Sequence, residues 1–394
     1  MIFLLACTED VDPCPGGELI DNVPGCRTRV NLEGDLGSLP AELRWPESGG
    51  DGAPVAVFIP GSFHASVVPV GAGTPQADLE QAVVTVHVDL AGDGWADGID
   101  DRRGEVAREA VALALRYAAC DAKDSDGLCP RDRVGARSDL TLLVGHSNGG
   151  NLAVATLGDS ALDLPPVAGL VTYETPAGAS FVNVEYGAGG AAYLEGSCTL
   201  GEGGIDCPFT APTAALDAEG QKACADLDAD GVCAPPEAAV GGSTDPVTGL
   251  RALSPQLRAM LDDAGVDAPG FDSVVAARDY WAERDAAQLA PAMARHSPVP
   301  TVFLATEEDH VLVGLLDHPH VYGLYERLRA EGLWVRLNPG ADWTAFEDEN
   351  EPGEAFGLSN PAGWLTPEEG GESMQSLFSA ALRELTDRSD SGSW

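Results

Sequence analysis

The chain has 394 residues, room for one large domain or two ordinary ones with a sizeable core. Its 63 acidic residues against 22 basic ones leave a formal charge of −41, and a surface that acidic repels nucleic acid and anionic lipid headgroups. Hydrophobic residues are 44% of the chain, too many for a disordered acidic tail, and no apolar run reaches the roughly 20 residues that cross a bilayer. The composition reads as a soluble, very acidic globular protein.

At the N-terminus, Leu4-Leu5-Ala6-Cys7 resembles a bacterial lipobox, in which the cysteine is acylated and heads the mature chain. Cysteine usage points the same way. Beside Cys7 there are eight cysteines in local pairs: Cys14/Cys26, Cys120/Cys129, Cys198/Cys207 and Cys224/Cys233. The last three pairs share a spacing of eight intervening residues. Zinc ligands favour closer spacing, commonly about two to four residues. Four disulfides and an oxidising compartment are expected, with Cys7 left for a lipid.

Residues 8–27 are rich in Pro, Gly and Asp and read as a tether closed by one disulfide. From about residue 28, strand and helix patterns alternate. Short β-type runs occupy 28–32, 41–45, 55–60, 83–89 and 139–144. Between the last two, 104–119 has apolar residues at helical spacing. Further strands are predicted at 167–173, 300–305 and 332–337, and helices at 320–331 and 372–386. Near-continuous apolar strands alternating with helices predict an α/β fold, a mostly parallel sheet with helices on both faces. The Gly-, Ala- and Pro-rich stretch 177–297 interrupts this rhythm and reads as an inserted cap.

The most informative segment is Leu142-Leu143-Val144-Gly145-His146-Ser147-Asn148-Gly149-Gly150-Asn151-Leu152. An apolar strand runs into Gly-x-Ser-x-Gly and a helix pattern follows at once. Small residues must flank such a serine, because its backbone is strained in a tight turn that lifts Oγ above the sheet. On these residues the chain resembles the α/β-hydrolase superfamily over about 28–388, with Ser147 as nucleophile. The resemblance also implies an oxyanion hole. Its backbone N–H groups come from Asn148 and from Ser62 or Phe63 of Val57-Phe58-Ile59-Pro60-Gly61-Ser62-Phe63. Asp89-Leu90-Ala91-Gly92-Asp93-Gly94 resembles the loop that follows the next strand.

In that family the order is nucleophile, acid, histidine. Thr306-Glu307-Glu308-Asp309-His310 resembles the acid loop and nominates Asp309. No histidine follows His320, and Trp343 stands where the family has its base. Of the seven histidines, His146 lies inside the elbow, His87 on a core strand, His64 beyond the oxyanion loop and His296 at the end of the cap. His310, His318 and His320 remain. A relocated His310 or His320, oriented by Asp309, Asp317 or Glu174, is the expected base, because triads are defined by geometry. The competing reading is local: these histidines cap the following helix or pair with nearby carboxylates.

Asp226-Leu227-Asp228-Ala229-Asp230-Gly231-Val232, continuing to Glu237, has carboxylates at positions one, three, five and twelve of an EF-hand loop and glycine at six. Asp226, Asp228, Asp230, the Val232 carbonyl and Glu237 predict a structural calcium ion. Asp124-Ser125-Asp126-Gly127 repeats part of the pattern. No cofactor is expected for catalysis, since no histidine pair with ligand spacing lies near Ser147. The expectation is an exported, cell-surface or periplasmic serine hydrolase of a small carboxylic ester. Its segments would be a signal remnant and tether at 1–27, core at 28–176 and 298–394, and a braced cap at 177–297. The alternatives are an inactive surface binding protein on the same scaffold, or a peptidase.

Overall fold

The computed structural model describes residues 14–20, 25–34, 37–61, 83–90, 96, 103–173, 175, 177, 199–201, 204–206, 213–216, 223–226, 284–304, 321–337 and 374–392. Thirteen strands occur among them: β1 (Glu18–Leu19), β2 (Gly25–Gly34), β3 (Gly37–Pro46), β4 (Pro54–Ile59), β5 (Val84–Val88), β6 (Arg137–His146), β7 (Gly169–Tyr173), β8 (Thr199–Gly201), β9 (Gly204–Asp206), β10 (Thr213–Leu216), β11 (Ala223–Asp226), β12 (Thr301–Leu304) and β13 (Val335–Leu337). The helices are α1 (Glu105–Ala118), α2 (Pro130–Val134), α3 (Asn148–Gly158), α4 (Ala286–His296), α5 (Val321–Ala330) and α6 (Met374–Ser391).

Nine strands form one sheet in the order β1-β2-β3-β5-β4-β6-β7-β12-β13. The first three pair antiparallel with their neighbours, and from β5 to β13 every pairing is parallel. The predicted α/β class is the observed one. Period-two alternation on the strands explains the layers. Val55, Val57 and Ile59 of β4 face one apolar cluster with Leu113 of α1, Leu152 of α3, Met293 of α4 and Leu328 of α5. Ala56 and Phe58 of the same strand face a second cluster with Leu382 and Leu385 of α6. Both faces are therefore covered, which is why these strands read as unbroken apolar runs.

Several boundaries differ from the sequence reading for local reasons. Residues 14–20 and 25–27 do not stand off as a tether. Gly25–Gly34 pairs along its length with β3, and the Cys14–Cys26 disulfide is buried beneath it. Composition suggested coil there, but pairing to a long neighbour satisfies the backbone groups. β13 begins at Val335 because Leu333 N–H still bonds Leu328 O at 3.1 Å, behind Gly332 at φ 80°. A left-handed glycine closing a helix is cheap, since it lacks Cβ. α6 runs on to Ser391, where Arg388 pairs with Glu384 and Asp390 with Arg137.

Part of the stretch read as a cap belongs to the helix layer. The α4 helix starts at an Asp285 N-cap that accepts from Ala287 N–H at 3.0 Å. It is pinned to α3 by Ala286 N–H, which donates to Asn151 Oδ1 at 2.9 Å. Further back, β8 pairs with β9 and β10 with β11, each antiparallel. Among the described residues no helix is long and apolar enough to cross a membrane.

A cluster of four buried polar residues lies where β3 meets β5. Glu42 and Arg44 on β3 lie opposite His87 and Thr85 on β5. Arg44 Nε donates to Glu42 Oε1 at 2.5 Å with both side chains 1% exposed. His87 Nε2 lies 3.0 Å from Thr85 Oγ1, and its ring packs on Phe58. Burial, helped by the Arg44 charge, holds the imidazole well below its usual pKa, so it is neutral. That agrees with His87 being a core residue.

Candidate active site

The elbow follows from how much space the chain leaves. β6 ends at His146, and Ser147 takes φ 50° and ψ −127° before α3 begins at Asn148. Among the described residues only Arg103, Cys120 and Ser147 have positive φ without being glycine. A side chain there costs on the order of 1–2 kcal/mol, so the turn must be held. Ser147 N–H donates to Tyr173 O at 2.7 Å, and Gly150 N–H donates to Ser147 O at 3.0 Å to open the helix.

The glycines around the serine are obligatory. A Cβ at Gly145 would come within 2.6 Å of the Gly150 backbone. One at Gly149 would meet the carbonyl oxygens of Ile59 and Pro60 at 2.5 Å, and one at Gly150 would strike Thr175 Oγ1 at 2.0 Å. The contacts at Gly145 and Gly149 are with backbone and cannot relax cheaply, and at Gly150 all three nearest atoms belong to the Thr175 side chain, which would have to move. Gly61 matters in the same way. A Cβ there would sit 3.2 Å from Ser147 Cβ and 3.0 Å from His146 Nδ1. The start of the loop after β4, at Gly61, therefore lies against the serine.

The antiparallel pair at one edge, the crossover between β4 and β5, and a strained serine at the end of the central β6 together define the architecture. The fold is that of an α/β-hydrolase.

No protein-family model and no curated protein matches the chain. Solved structures with a similar hydrolase fold include a thermostable esterase from Pseudomonas putida, at 12% identity over 95% of this chain and 86% of that one, with a TM-score of 0.44. A fungal esterase from Rhizomucor miehei gives 14% identity over 96% and 87%, with a TM-score of 0.46. Brefeldin A esterase, a bacterial homologue of human hormone-sensitive lipase, gives 16% over 95% and 78%, with a TM-score of 0.42. With values this low, the assignment stands on the hydrolase strand order and elbow of the chain itself.

The predicted site residues divide as follows. Ser147 and Asn148 are brought to the mouth of the parallel strands, 4% and 1% exposed. Ser62, Phe63, Asp309, His310 and His320 lie outside the described residues, as do His64, Glu174, Asp317 and His318. The strand that precedes Asp309 in the chain, β12, is two positions from β6 across β7. His146 stacks on Tyr173 with ring centroids 4.9 Å apart. His296 ends α4 in an exposed position. Two residues that sequence reasoning missed are Asn151, which docks α4, and Arg103, a buried arginine beside Pro60 and Gly61. The adjacent Arg102-Arg103 pair, in a chain so poor in cations, was a signal for the latter.

The Asn148 amide is a further oddity: neither Oδ1 nor Nδ2 has a partner among the described residues. An orphaned buried amide costs about 1–3 kcal/mol. Replacing it with the isosteric leucine is expected to raise unfolding free energy by about that much, measured by urea titration. An unchanged midpoint would count against the orphaned amide.

The cysteine and metal readings also meet the structure. The Cys14–Cys26 and Cys120–Cys129 disulfides are present. Cys7, Cys198, Cys207 and Cys233 lie outside the described residues, while Cys224 sits in β11. Asp226 ends β11, and Asp228, Asp230, Val232 and Glu237 also fall outside. At the partial repeat 124–127 both carboxylates have protein partners. Asp124 Oδ1 accepts from the N–H groups of Asp126 and Leu128 at 3.0 and 3.1 Å, and Oδ2 from Arg133 Nε at 2.7 Å and the Tyr117 hydroxyl at 3.2 Å. Arg133 also pairs with Asp126 at 2.6 Å. The arginine supplies the positive charge that an ion would otherwise bring. Burial raises the Asp124 pKa, but the Arg133 and backbone hydrogen bonds outweigh it, so the carboxyl lies below its ordinary value.

Proposed function

We propose that the chain is a serine hydrolase acting on a carboxylic ester. The observation that carries this reading is the strained Ser147 held against the Gly61 loop at the end of the parallel strands. A protein keeps a backbone outlier of this kind only where its surroundings over-determine it, and such outliers cluster at reactive sites. In this reading Ser147 Oγ attacks the ester carbonyl and passes its proton to His310 or His320, which Asp309 orients. The backbone N–H groups of Asn148 and of Ser62 or Phe63 hold the developing oxyanion, helped by the positive end of α3. The alcohol leaves with the proton, and water then releases the acyl group by the reverse sequence. The Asn148 amide, without a partner among the described residues, would meet a polar atom of the bound ester.

The test is labelling of the calcium-loaded protein with a fluorophosphonate, read by mass spectrometry. An adduct on Ser147, absent in Ser147→Ala, is the expected result, and His310→Ala and His320→Ala then identify the base. A folded wild type that stays unlabelled would overturn the enzyme reading. The lack of any histidine after His320 would then favour a binding protein on this scaffold.

We further propose export, with Cys7 lipidated. The two disulfides formed at Cys14–Cys26 and Cys120–Cys129 support an oxidising compartment. The donor set Asp226, Asp228, Asp230, Glu237 and the Val232 carbonyl suits calcium, being all hard oxygen with glycine at the turn. Bound calcium at a hundredfold over its dissociation constant would add about 2.7 kcal/mol. Chelation is therefore expected to lower the melting temperature, and Asp228→Ala to abolish that difference. A melting temperature indifferent to chelator would remove the ion from the proposal.

A further inference from the structure

Asn148 is the first residue of α3 and follows Ser147 directly. It is 1% exposed, and neither Oδ1 nor Nδ2 has a hydrogen-bond partner among the described residues. The next two glycines show which way its side chain leaves the helix. A Cβ on Gly149 would meet Ile59 O and Pro60 O at the end of β4, and one on Gly150 would meet Thr175, just beyond the end of β7. β4 and β7 are the two neighbours of β6 in the sheet. Successive side chains on a helix are about 100° apart. The sheet therefore lies between the Gly149 and Gly150 directions, and Asn148, one step before Gly149, faces away from it. Cα–Cβ bonds also tilt towards the helix N-terminus. The amide thus leans over the mouth on the Ser147 side of α3 instead of packing against the strands.

We propose that the Asn148 side chain determines specificity, and that the ester it selects carries an uncharged primary carboxamide of its own. The inference rests on Ser147 being the nucleophile of an ester hydrolase. A carboxamide offers a donor and an acceptor side by side, and in Asn148 both lack a partner among the described residues. A second primary carboxamide pairs with the two atoms at once, through parallel hydrogen bonds, whichever way round the Asn148 group is turned. A hydroxyl or a ketone satisfies one of them. A carboxylate has no proton for Oδ1 and is repelled by a chain of formal charge −41. An ammonium has no acceptor for Nδ2. A site built to pair polar groups discriminates by rejecting analogues that leave those groups unpaired, so the hydrocarbon counterpart of such an ester is the substrate it turns away.

The experiment measures kcat/KM for two matched pairs of esters. Ethyl succinamate and ethyl isocaproate differ on the acyl side, where isopropyl replaces the carboxamide. Glycolamide acetate and isobutyl acetate differ in the same way on the alcohol side. In wild type the amide-bearing ester of at least one pair is expected to exceed its hydrocarbon partner by about 10–100-fold. In Asn148→Leu that ratio should fall to about one or below, since leucine leaves the carboxamide unpaired. Leucine keeps the backbone N–H that the oxyanion reading uses, so the ratio reads the side chain. A wild type with no preference in either pair would overturn the proposal, and that arm needs no variant that folds. A preference that survives Asn148→Leu would overturn it as well, by placing the recognition elsewhere. Fluorophosphonate labelling separates the two levels of failure. Protein labelled on Ser147 but indifferent to the carboxamide loses this subsite only, and a folded wild type that is never labelled loses the enzyme reading too.

Discussion

Replacing Ser147 with glycine is expected to abolish ester turnover and to make the fold more stable. The loss of the nucleophile should cost on the order of 10⁴–10⁶ in kcat. The gain in stability comes from φ 50°, which glycine adopts freely and serine does not. Relief of about 1–2 kcal/mol is offset by about 0.4–1 kcal/mol from the looser unfolded chain. A net gain of about 0–1.6 kcal/mol is therefore expected. Ser147→Ala separates the two effects, for it removes Oγ and keeps the strain. Urea unfolding of both variants beside wild type decides the matter. Equal stability of the glycine and alanine variants would mean that the turn is not strained, and the elbow would lose its physical argument for function.

Removing one member of the buried Glu42–Arg44 pair is expected to cost about 3–5 kcal/mol, the penalty of an uncompensated charge in the sheet. Glu42→Gln leaves the Arg44 guanidinium, 1% exposed, without its carboxylate, and Arg27 Nη1 without the Glu42 charge 3.8 Å away. The double variant Glu42→Leu/Arg44→Met should recover most of that loss, because it removes both fully buried charges and Arg27, 22% exposed, keeps its pairing with Glu18. A single variant that melts like wild type would contradict the burial of the pair. The same cluster sets a pH dependence. The folded pKa of His87 lies below the unfolded value, so below about pH 6.5 the unfolded chain binds the extra proton. Stability is full above that pH and falls as pH drops towards the folded pKa, by about 1.4 kcal/mol per unit. Between about pH 6.5 and 5.5 the carboxylates remain ionised, so this window reports on histidines, and the comparison with a His87 variant picks out this one. His87→Gln should flatten the slope there, and an unaltered slope would assign the acid sensitivity elsewhere.

What the sequence determined by itself is local. The strand-turn-serine-turn-helix segment was legible because its Gly-x-Ser-x-Gly spacing sits between strand and helix patterns and Gly145 must clear the Gly150 backbone, although Gly149 and Gly150 answer to Ile59, Pro60 and Thr175 elsewhere in the chain. The parallel sheet was legible because strands covered on both faces carry unbroken apolar runs, as Val55–Ile59 does. The Cys14–Cys26 and Cys120–Cys129 disulfides were legible because each joins residues close along the chain. Tertiary structure decided the fate of charges. Asp124 and Asp126 match a calcium loop in spacing, but Arg133 reaches them first. Glu42 and Arg44 look like the wet face of an edge strand until β2 and β5 flank them. Arg103 meets the Gly61 carbonyl, 42 positions earlier, only when folding brings the two together. Backbone sterics and apolar periodicity act between neighbours and are written in spacing. A charge takes its meaning from whatever counter-charge or carbonyl folding delivers, and that partner can lie anywhere in the chain.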